Sequence, residues 1–343
     1  MRAISIDGYG IANVAPRIVP DPEPGPHDVV VGVKAAALNH LDLWTLSGSL
    51  GIPHQFPHVL GADAAGEIHA VGSEIERLRP GMRVVVNPAL SCRECEFCRA
   101  GEHSLCTRFQ MLGEHHHGTL AELVRVPATN VFPFPEEMSF ADGAALGVTF
   151  ITAYRMLFDR GRLHPGEWIA ITGIGGGLAL SLFQLARPLA GKIFVTSSSD
   201  AKLERATEMG ATGTVNYERE DVGRALRGMT GKRGVDAVFD SAGGSSLEAA
   251  TRAVRKGGRV VVAGATAGGS TEIDVRRLFW NQLEIIGSTM GSDANISDML
   301  RYVSGQDIRP LIDRTFPLDD AADALRYLES NAQFGKIVIA VSA

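Results

Sequence analysis

Four cysteines fall within fifteen residues, at Cys92, Cys95, Cys98 and Cys106. The spacing Cys-x2-Cys-x2-Cys-x7-Cys puts four thiolates in one compact loop, enough to close a tetrahedron around Zn2+. An all-cysteine shell leaves no open coordination position, so such a site is structural. Zinc held this way contributes roughly 10–16 kcal/mol in small peptides, which stabilises a lobe with little core of its own. A disulfide framework would spread its cysteines along the chain and belongs to oxidising compartments. The second chemical feature is Gly173-Ile174-Gly175-Gly176-Gly177. It follows the apolar run Ile169-Ala170-Ile171 and precedes leucines at helical spacing, Leu178, Leu182, Leu185 and Leu189. A strand, a glycine turn and a helix form a dinucleotide cradle. The backbone approaches the pyrophosphate closely, and the helix N-terminus aims amides and its positive dipole end at it. Gly173, Gly175, Gly176, Gly177 and Leu178 are therefore candidate cofactor contacts.

The next strand indicates which dinucleotide. NAD enzymes place a carboxylate at its end to grip the ribose hydroxyls. Here the strand ends Thr196-Ser197-Ser198-Ser199, with no carboxylate before Asp200. Ser197 and Ser198 leave room for a 2′-phosphate and Lys202 adds positive charge, so NADPH is expected in preference to NADH. Gly264-Ala265 and Ser288-Thr289 follow later strands, where parallel sheets bind ligands. They are expected to hold the nicotinamide amide.

These groups need two kinds of scaffold. Up to about residue 135 the chain reads as short strands, with a hairpin over residues 1–35, a strand at Val29–Val33, a short helix opening near Asn39-His40-Leu41-Asp42, and a loop from Gly48 to Pro57. A helical stretch over Phe140–Asp159 follows. Strands and helices then alternate. The strands are expected at Trp168–Ile171, Ile193–Thr196, Ala237–Asp240, Val260–Ala263 and Leu283–Gly287. The helices are expected at Leu178–Leu189, Ala201–Met209 with Asp200 as its N-cap, and Ser246–Val254. This is the pattern of an α/β, doubly wound parallel sheet. A helix at Ala321–Glu329 and a strand at Lys336–Val341 return to the style of the first domain.

The bulk numbers fit such a chain. At 343 residues two domains are expected, and 45% apolar with 21% charged is ordinary for a globular protein. A net charge of −6 without a long basic run argues against nucleic acid as partner. No apolar run reaches the ~18 residues that span a membrane, and the start MRAISIDGYG lacks a signal-peptide pattern, so a cytoplasmic location is expected.

Across essentially the whole chain the sequence resembles the medium-chain dehydrogenase/reductase superfamily. The resemblance rests on the Cys92–Cys106 lobe, on Pro57-His58-Val59-Leu60-Gly61-Ala62-Asp63-Ala64-Ala65-Gly66, on the Gly173–Ala179 turn, and on Phe334-Gly335-Lys336. It implies a GroES-like catalytic domain over residues 1–147 and 289–343, with the zinc lobe at 91–107. A Rossmann cofactor domain over 148–288 and a cleft between the two are also implied. Zinc alcohol dehydrogenases of the superfamily carry catalytic metal ligands at positions that here are Asn39, Ala62 and Val148, and a proton-relay hydroxyl where Leu41 stands. Alanine and valine cannot coordinate a metal. Asn39 with Asp42, and the run Gly147–Tyr154, resemble instead the quinone-oxidoreductase-like branch, which reduces quinones and enones with NADPH.

The resemblance places Asn39, His40, Asp42 and Thr152 at the reaction site, and Tyr217 and Lys336 on the cofactor. The expected activity is hydride transfer to a quinone, enone or other activated carbonyl or alkene without a catalytic metal. Positioning suffices where the acceptor carbon is already electrophilic. Solvent, Asn39 or His40 would supply the proton. Trp44, His54 and Phe56 are expected to wall the substrate. His115-His116-His117 reads as a solvated loop, and His58 as structural. The alternatives are a zinc alcohol dehydrogenase with ligands relocated to His40, His58 and Asp63, and a non-catalytic dinucleotide-binding sensor or structural protein. Association through the Rossmann sheets, as in the superfamily, implies a homodimer or homotetramer.

Overall fold

The computed structural model describes residues 1–49 and 51–341. Leu50, in the loop expected over Gly48–Pro57, lies outside the described residues. The chain divides into two compact units, Met1–Ile151 with Gly291 onward, and Thr152–Met290. Val148 therefore belongs to the first unit, although the sequence reading assigned it to the cofactor domain.

In the second unit six strands form one parallel sheet. Their spatial order is Gly213–Asn216, Lys192–Ser197, Trp168–Ile171, Val235–Asp240, Val254–Val262 and Glu284–Gly287. Numbered along the chain, this is the order 3-2-1-4-5-6 of a doubly wound fold, with its switch point between the first and fourth strands. The strands are apolar because helices cover both faces. Phe194, Val215, Val235, Val238 and Val260 form a buried cluster with Leu226 and Ala250 of the covering helices. The first crossover helix, Gly177–Ala186, ends two residues before Pro188, which cannot continue it.

Three expectations change. The helix expected after Asp200 begins at Asp200 itself, and its N-cap is Ser199, whose hydroxyl accepts from Lys202 N–H. Asp200 is thereby freed from capping. The helix expected over Phe140–Asp159 is three pieces: Phe140–Ala145, Val148–Tyr154 and a π-helical turn, Arg155–Arg160. Gly147 interrupts it for a reason given below. The strand expected to begin at Val260 starts earlier, at Val254.

The first unit is built mainly on antiparallel strands. Asp28–Ala37 pairs with Asp63–Val71 on one edge and with Leu123–Pro127 and Lys336–Ala340 on the other. Residues from both ends of the chain thus share one sheet. Its core includes Val29, Val31, Val33, Leu60, Ile68, Val84, Leu120, Leu325 and Ile339. The Arg2–Ile6 and Val14–Ile18 hairpin joins His58–Val59 in a smaller sheet. No helix among the described residues is long and apolar enough to cross a membrane.

Candidate functional site

The helix His40–Ser47 starts where the strand Asp28–Ala37 ends, and Asn39 is its N-cap. Asp42, three residues on, accepts a hydrogen bond from Asn39 N–H at 2.7 Å. This capping box is built by sequence spacing alone. Asp42 is 1% exposed. Its burial raises the carboxyl to about 7, against the opposing pull of the Asn39 N–H and the Lys336 ammonium.

Asp63 opens the next long strand and is fully buried. It gathers three chain segments. Asn39 Nδ2 donates to Asp63 Oδ2 at 2.9 Å, Val148 N–H donates to Oδ1 at 2.7 Å, and Lys336 Nζ lies 3.1 Å from Oδ2. Thr119 Oγ1 donates to the Asp63 carbonyl at 2.9 Å. Lys336 sits at the start of the last strand and is itself buried; it also donates to Leu38 O at 2.8 Å and Asn39 Oδ1 at 2.7 Å. Gly147 is required here: a Cβ on it would lie 1.9 Å from Asp63 Oδ1. The helix break at Gly147 thus lets a carboxylate reach the amide of Val148.

Asn39 and Val148 are tied together by the carboxylate of Asp63, next to Ala62. Asn39 has no donor left over. Its Oδ1 accepts from Lys336, and its Nδ2 donates to Asp63 and to Ala37 O at 3.4 Å. Lys336, assigned to the cofactor in the sequence reading, directs its three donors to these oxygens of the first unit. His40 is pushed to a lower pKa by burial, with a hydrogen bond to Asn331 opposing.

The cysteine lobe was legible from spacing, and its four sulfurs lie within 4.8 Å of one another. Cys92 Sγ and Cys98 Sγ are 3.9 Å apart, close to the roughly 3.8 Å edge of a tetrahedron with zinc–sulfur bonds of about 2.3 Å. Backbone N–H groups of Cys92 and Arg108 donate to Cys106 Sγ at 3.2 and 3.3 Å, and that of Cys95 to Cys92 Sγ at 3.4 Å. Burial, then the neighbouring sulfurs, push the Cys98 thiol up to about 12. Four thiolates crowded together need a cation, and a divalent metal supplies it. Arg93, within the lobe, pairs with Asp293 at the start of the helix Asp293–Gly305. Among the described residues this is the one group of three or more potential ligands close enough to hold an ion. His40, His58 and Asp63 do not form another. His58 Nε2 instead bonds Gly113 O at 3.0 Å.

In the second unit the glycine turn has the geometry of a cradle. Gly173 and Gly175 adopt φ of +69° and +114°, open to glycine at no steric cost. Gly176 caps the helix and Gly177 with Leu178 opens it. The Lys202 side chain crosses the turn, with its Cδ 2.6 Å from where a Cβ on Gly175 would stand. Ser197 is buried, and its Oγ accepts from Ser199 N–H at 3.3 Å. Ser198 gives its carbonyl to Asn216 Nδ2. Tyr217 is 47% exposed, with its N–H on Ser197 O at 3.1 Å. Gly264 sits at φ +150° at the end of its strand, followed by Ala265. Ser288 N–H bonds Val262 O, while its buried Oγ has no protein partner. Such an orphaned hydroxyl fits a ligand group. Thr152 Oγ1 lies 3.7 Å from Met290 Sδ, next to Thr289. Gly264, Ala265, Ser288 and Thr289 thus follow strands of the parallel sheet at the same sheet end as the glycine turn.

Sequence reasoning missed two features here. Asp240, fully buried at the switch point, accepts from Thr172 Oγ1, Ser246 Oγ and Gly243 N–H at 2.6, 2.7 and 3.0 Å and ties the two central strands. Arg219 pairs with Asp200 at 2.6 Å, and Asn216 Nδ2 holds the other Asp200 oxygen at 2.6 Å. The carboxylate nearest the ribose strand is thereby occupied on both oxygens. Neither contact leaves a local sequence signal.

Comparison with known proteins agrees with this architecture. Residues 25–136 match the alcohol dehydrogenase GroES-like domain, and residues 177–305 match the zinc-binding dehydrogenase domain. An alcohol dehydrogenase of Schizosaccharomyces pombe is 30% identical over 335 residues, covering 97% of this chain and 95% of that protein. The synaptic vesicle membrane protein VAT-1 homolog of Rattus norvegicus is 27% identical, covering 97% of this chain and 81% of its own. A solved structure of an NAD-dependent alcohol dehydrogenase superposes with a TM-score of 0.92 at 40% identity, over 100% of both chains.

Proposed function

The chain belongs to the medium-chain dehydrogenase/reductase superfamily and is an oxidoreductase of that family, and from this premise we propose that it is an NADPH-dependent reductase of quinones, enones or other activated carbonyls and alkenes, working without a catalytic metal. One observation carries the reading. The segments that bear catalytic ligands in zinc alcohol dehydrogenases are here joined through Asp63, whose oxygens are taken by Asn39, Val148 and Lys336. A carboxylate so engaged has little left to offer a metal, and Ala62 and Val148 have no ligand atoms. Without a Lewis acid to acidify an alcohol, the favoured substrates are those whose acceptor carbon is already electrophilic.

NADPH supplies hydride when bound. The glycine turn Gly173–Gly177 and the following helix receive its pyrophosphate, while Ser197, Lys202 and Tyr217 line the adenosine end. Arg219 adds a cation beside them, and Asp200 is neutralised by it. Gly264, Ala265, Ser288 and Thr289 orient the nicotinamide amide, with the unpartnered Ser288 Oγ as its natural bond. Thr152 stands beside them. In the first unit Asn39, Asp42 and Lys336 position rather than react. The zinc expected in the cysteine lobe is structural.

The names of the relatives favour alcohol oxidation as the competing activity. The test is a spectrophotometric panel of NADPH and NADH against quinones, enones and aldehydes, and of NADP+ and NAD+ against alcohols, with zinc counted per chain. One zinc with quinone or enone turnover supports the proposal. Two zincs with alcohol turnover overturn it. Tight cofactor binding without turnover of any substrate points to the sensor. We also propose that the chain pairs with a second copy of itself. Glu284–Gly287 is an edge strand, and Phe279 and Trp280 beside it are 61% and 74% exposed. A monomeric mass by light scattering would overturn this.

A further inference from the structure

The residues assigned to the adenosine end of the cofactor all lie within the second unit, and one carboxylate among them is out of keeping with a phosphate. The strands Lys192–Ser197 and Gly213–Asn216 run side by side, with Ser197 opposite Asn216. The glycine turn is tied to the end of the first of them. Gly173 N–H donates to Thr196 Oγ1 at 3.2 Å, and Ile174 N–H to Thr196 O at 2.7 Å. Lys202 reaches the same turn from the helix Asp200–Glu208, with its Nζ 3.3 Å from where a Cβ on Gly175 would stand. Asp200 opens that helix, two residues beyond the exposed Ser198. It sets a negative charge among groups that are otherwise suited to receive negative charge.

The turn after the strand Gly213–Asn216 answers that charge. Arg219 N–H and Glu220 N–H donate to Asn216 O at 3.1 and 3.0 Å, and Glu218 N–H to Asn216 Oδ1 at 3.0 Å, so one asparagine fixes the turn. Asn216 is buried, and its Nδ2 donates to Ser198 O at 3.2 Å and to Asp200 Oδ1 at 2.6 Å. Arg219 takes the other oxygen, Asp200 Oδ2, at 2.6 Å. The two contacts differ in kind. Asn216 is locked into both strands' ends. The Arg219 and Asp200 side chains are 68% and 56% exposed, and an ion pair so exposed contributes little to stability. A phosphate carries about two negative charges and three acceptor oxygens, which suit the planar fork of arginine better than one carboxylate oxygen does.

We propose that Arg219 determines cofactor specificity by exchanging partners, sitting on Asp200 in the free protein and passing to the 2′-phosphate when NADPH binds, an inference that rests on the NADPH reading above. Asp200 is then an internal competitor for the arginine, a carboxylate standing where the phosphate will compete. Asn216 keeps that carboxylate in place through the exchange, because its own bonds do not involve Arg219's side chain. A cofactor without the 2′-phosphate has nothing to draw Arg219 away, so it gains nothing from this residue. The affinity for NADPH is accordingly lower than Arg219 alone would give, and the difference is set by Asp200.

The test uses the full-length, zinc-loaded protein and two fragments of the adenosine end, 2′,5′-ADP and 5′-AMP, in calorimetric titrations. The fragments differ only in the 2′-phosphate. Arg219→Gln should weaken 2′,5′-ADP about tenfold, the scale of one charge-assisted hydrogen bond, and leave 5′-AMP unchanged. Asp200→Asn keeps an acceptor for Asn216 and removes the competitor. It should tighten 2′,5′-ADP about 3–5-fold, as much as an exposed ion pair withholds, again with 5′-AMP unchanged. A carboxylate that merely repelled phosphate would weaken both fragments in the wild type, and Asp200→Asn would then tighten both alike, which overturns the exchange. A crystal structure with 2′,5′-ADP should place the Arg219 guanidinium on the 2′-phosphate and off Asp200. Arg219 still paired with Asp200 in that complex overturns the inference. The NADPH reading fails separately. A wild type that binds the two fragments equally, with a preference for 2′,5′-ADP appearing in Asp200→Asn, overturns that reading and upholds the exchange. A wild type that prefers 2′,5′-ADP, with both variants at wild-type affinity, upholds the reading and overturns the exchange. No preference in any of the three proteins overturns both.

Discussion

Lys336→Met removes one partner of a buried ion pair. Lys336 is 4% exposed and Asp63 0%. At 3.1 Å two unit charges attract by about 5 kcal/mol at an effective dielectric near 20. Desolvation of both ions offsets much of that, so the intact pair adds little net stability. Breaking it is another matter. The carboxylate stays buried without its cation, and Leu38 O and Asn39 Oδ1 lose their donor. Such losses cost about 3–5 kcal/mol. Asp63 keeps its bonds from Asn39 Nδ2 and Val148 N–H, which puts the expected loss at the lower end, about 3 kcal/mol. For a unit of this size that is a drop of roughly 6–12 °C in Tm. Calorimetry of the full chain separates the two units' transitions, which a single-transition analysis would merge. Asp63→Asn with Lys336→Met should lose less than the sum of the single variants by at least about 1 kcal/mol. A loss below about 1 kcal/mol for Lys336→Met, together with additivity in the double variant, would refute the claim that this pair cross-links the unit.

Cys98→Ser should reduce bound zinc from one per chain to a small fraction, read by atomic emission, and unfold the lobe as one of four ligands is lost. Gly147→Ala drives a methyl into Asp63 Oδ1 and breaks its bond from Val148 N–H, with a loss of about 1–3 kcal/mol expected in a thermal melt; an unchanged Tm would contradict the geometry. Ser197→Asp places a carboxylate beside the expected 2′-phosphate, and should weaken NADPH roughly 10–100-fold by about 1.4–2.8 kcal/mol, with NADH unaffected, as measured by calorimetric titration. Burial raises the Asp42 carboxyl from its ordinary 3.8 to about 7, so the native state binds this proton more tightly than the unfolded chain. The stability it contributes is present below pH 4 and lost as pH rises to 7 and beyond. Asp42→Asn, which keeps an acceptor for Asn39 N–H, should flatten urea stability against pH in that window; equal slopes in both proteins would refute the assignment.

What the sequence revealed and what it hid follow from distance along the chain. The cysteine lobe and the glycine turn are built by residues within one loop or one turn, so spacing alone exposes them. The alternation of strand and helix likewise reports a parallel sheet, because each strand must be apolar on both faces. The polar cluster of the first unit is different. Asp63 and Lys336 are 273 residues apart, and no local pattern links them. The same separation explains why Asn39 reads as a free amide in the sequence: its partners arrive from other strands. The error at Asp200 was local. Ser199 and Asp200 are both good N-caps, and the ion pair with Arg219, together with Asn216, engages the carboxylate elsewhere.

On the reductase reading, the Asn39–Asp63–Lys336 cluster also bears on how a fold of this kind would do without a metal at its reaction site. A cation ligated by three segments does two things: it cross-links them, and it polarises substrate oxygen. In this chain the cross-link survives with its polarity reversed. An anion, Asp63, sits at the junction, and donors from Asn39, Val148 and Lys336 converge on it. That arrangement restores rigidity without Lewis acidity, since the buried cation at the junction, Lys336, has its donors committed to protein oxygens. On the reductase reading, polarising and protonating the substrate then falls to other protic groups. The demand is smallest for a quinone, whose reduced form is a weak base, and largest for an enone. The ratio of enone to quinone turnover therefore measures how much acid assistance the site supplies.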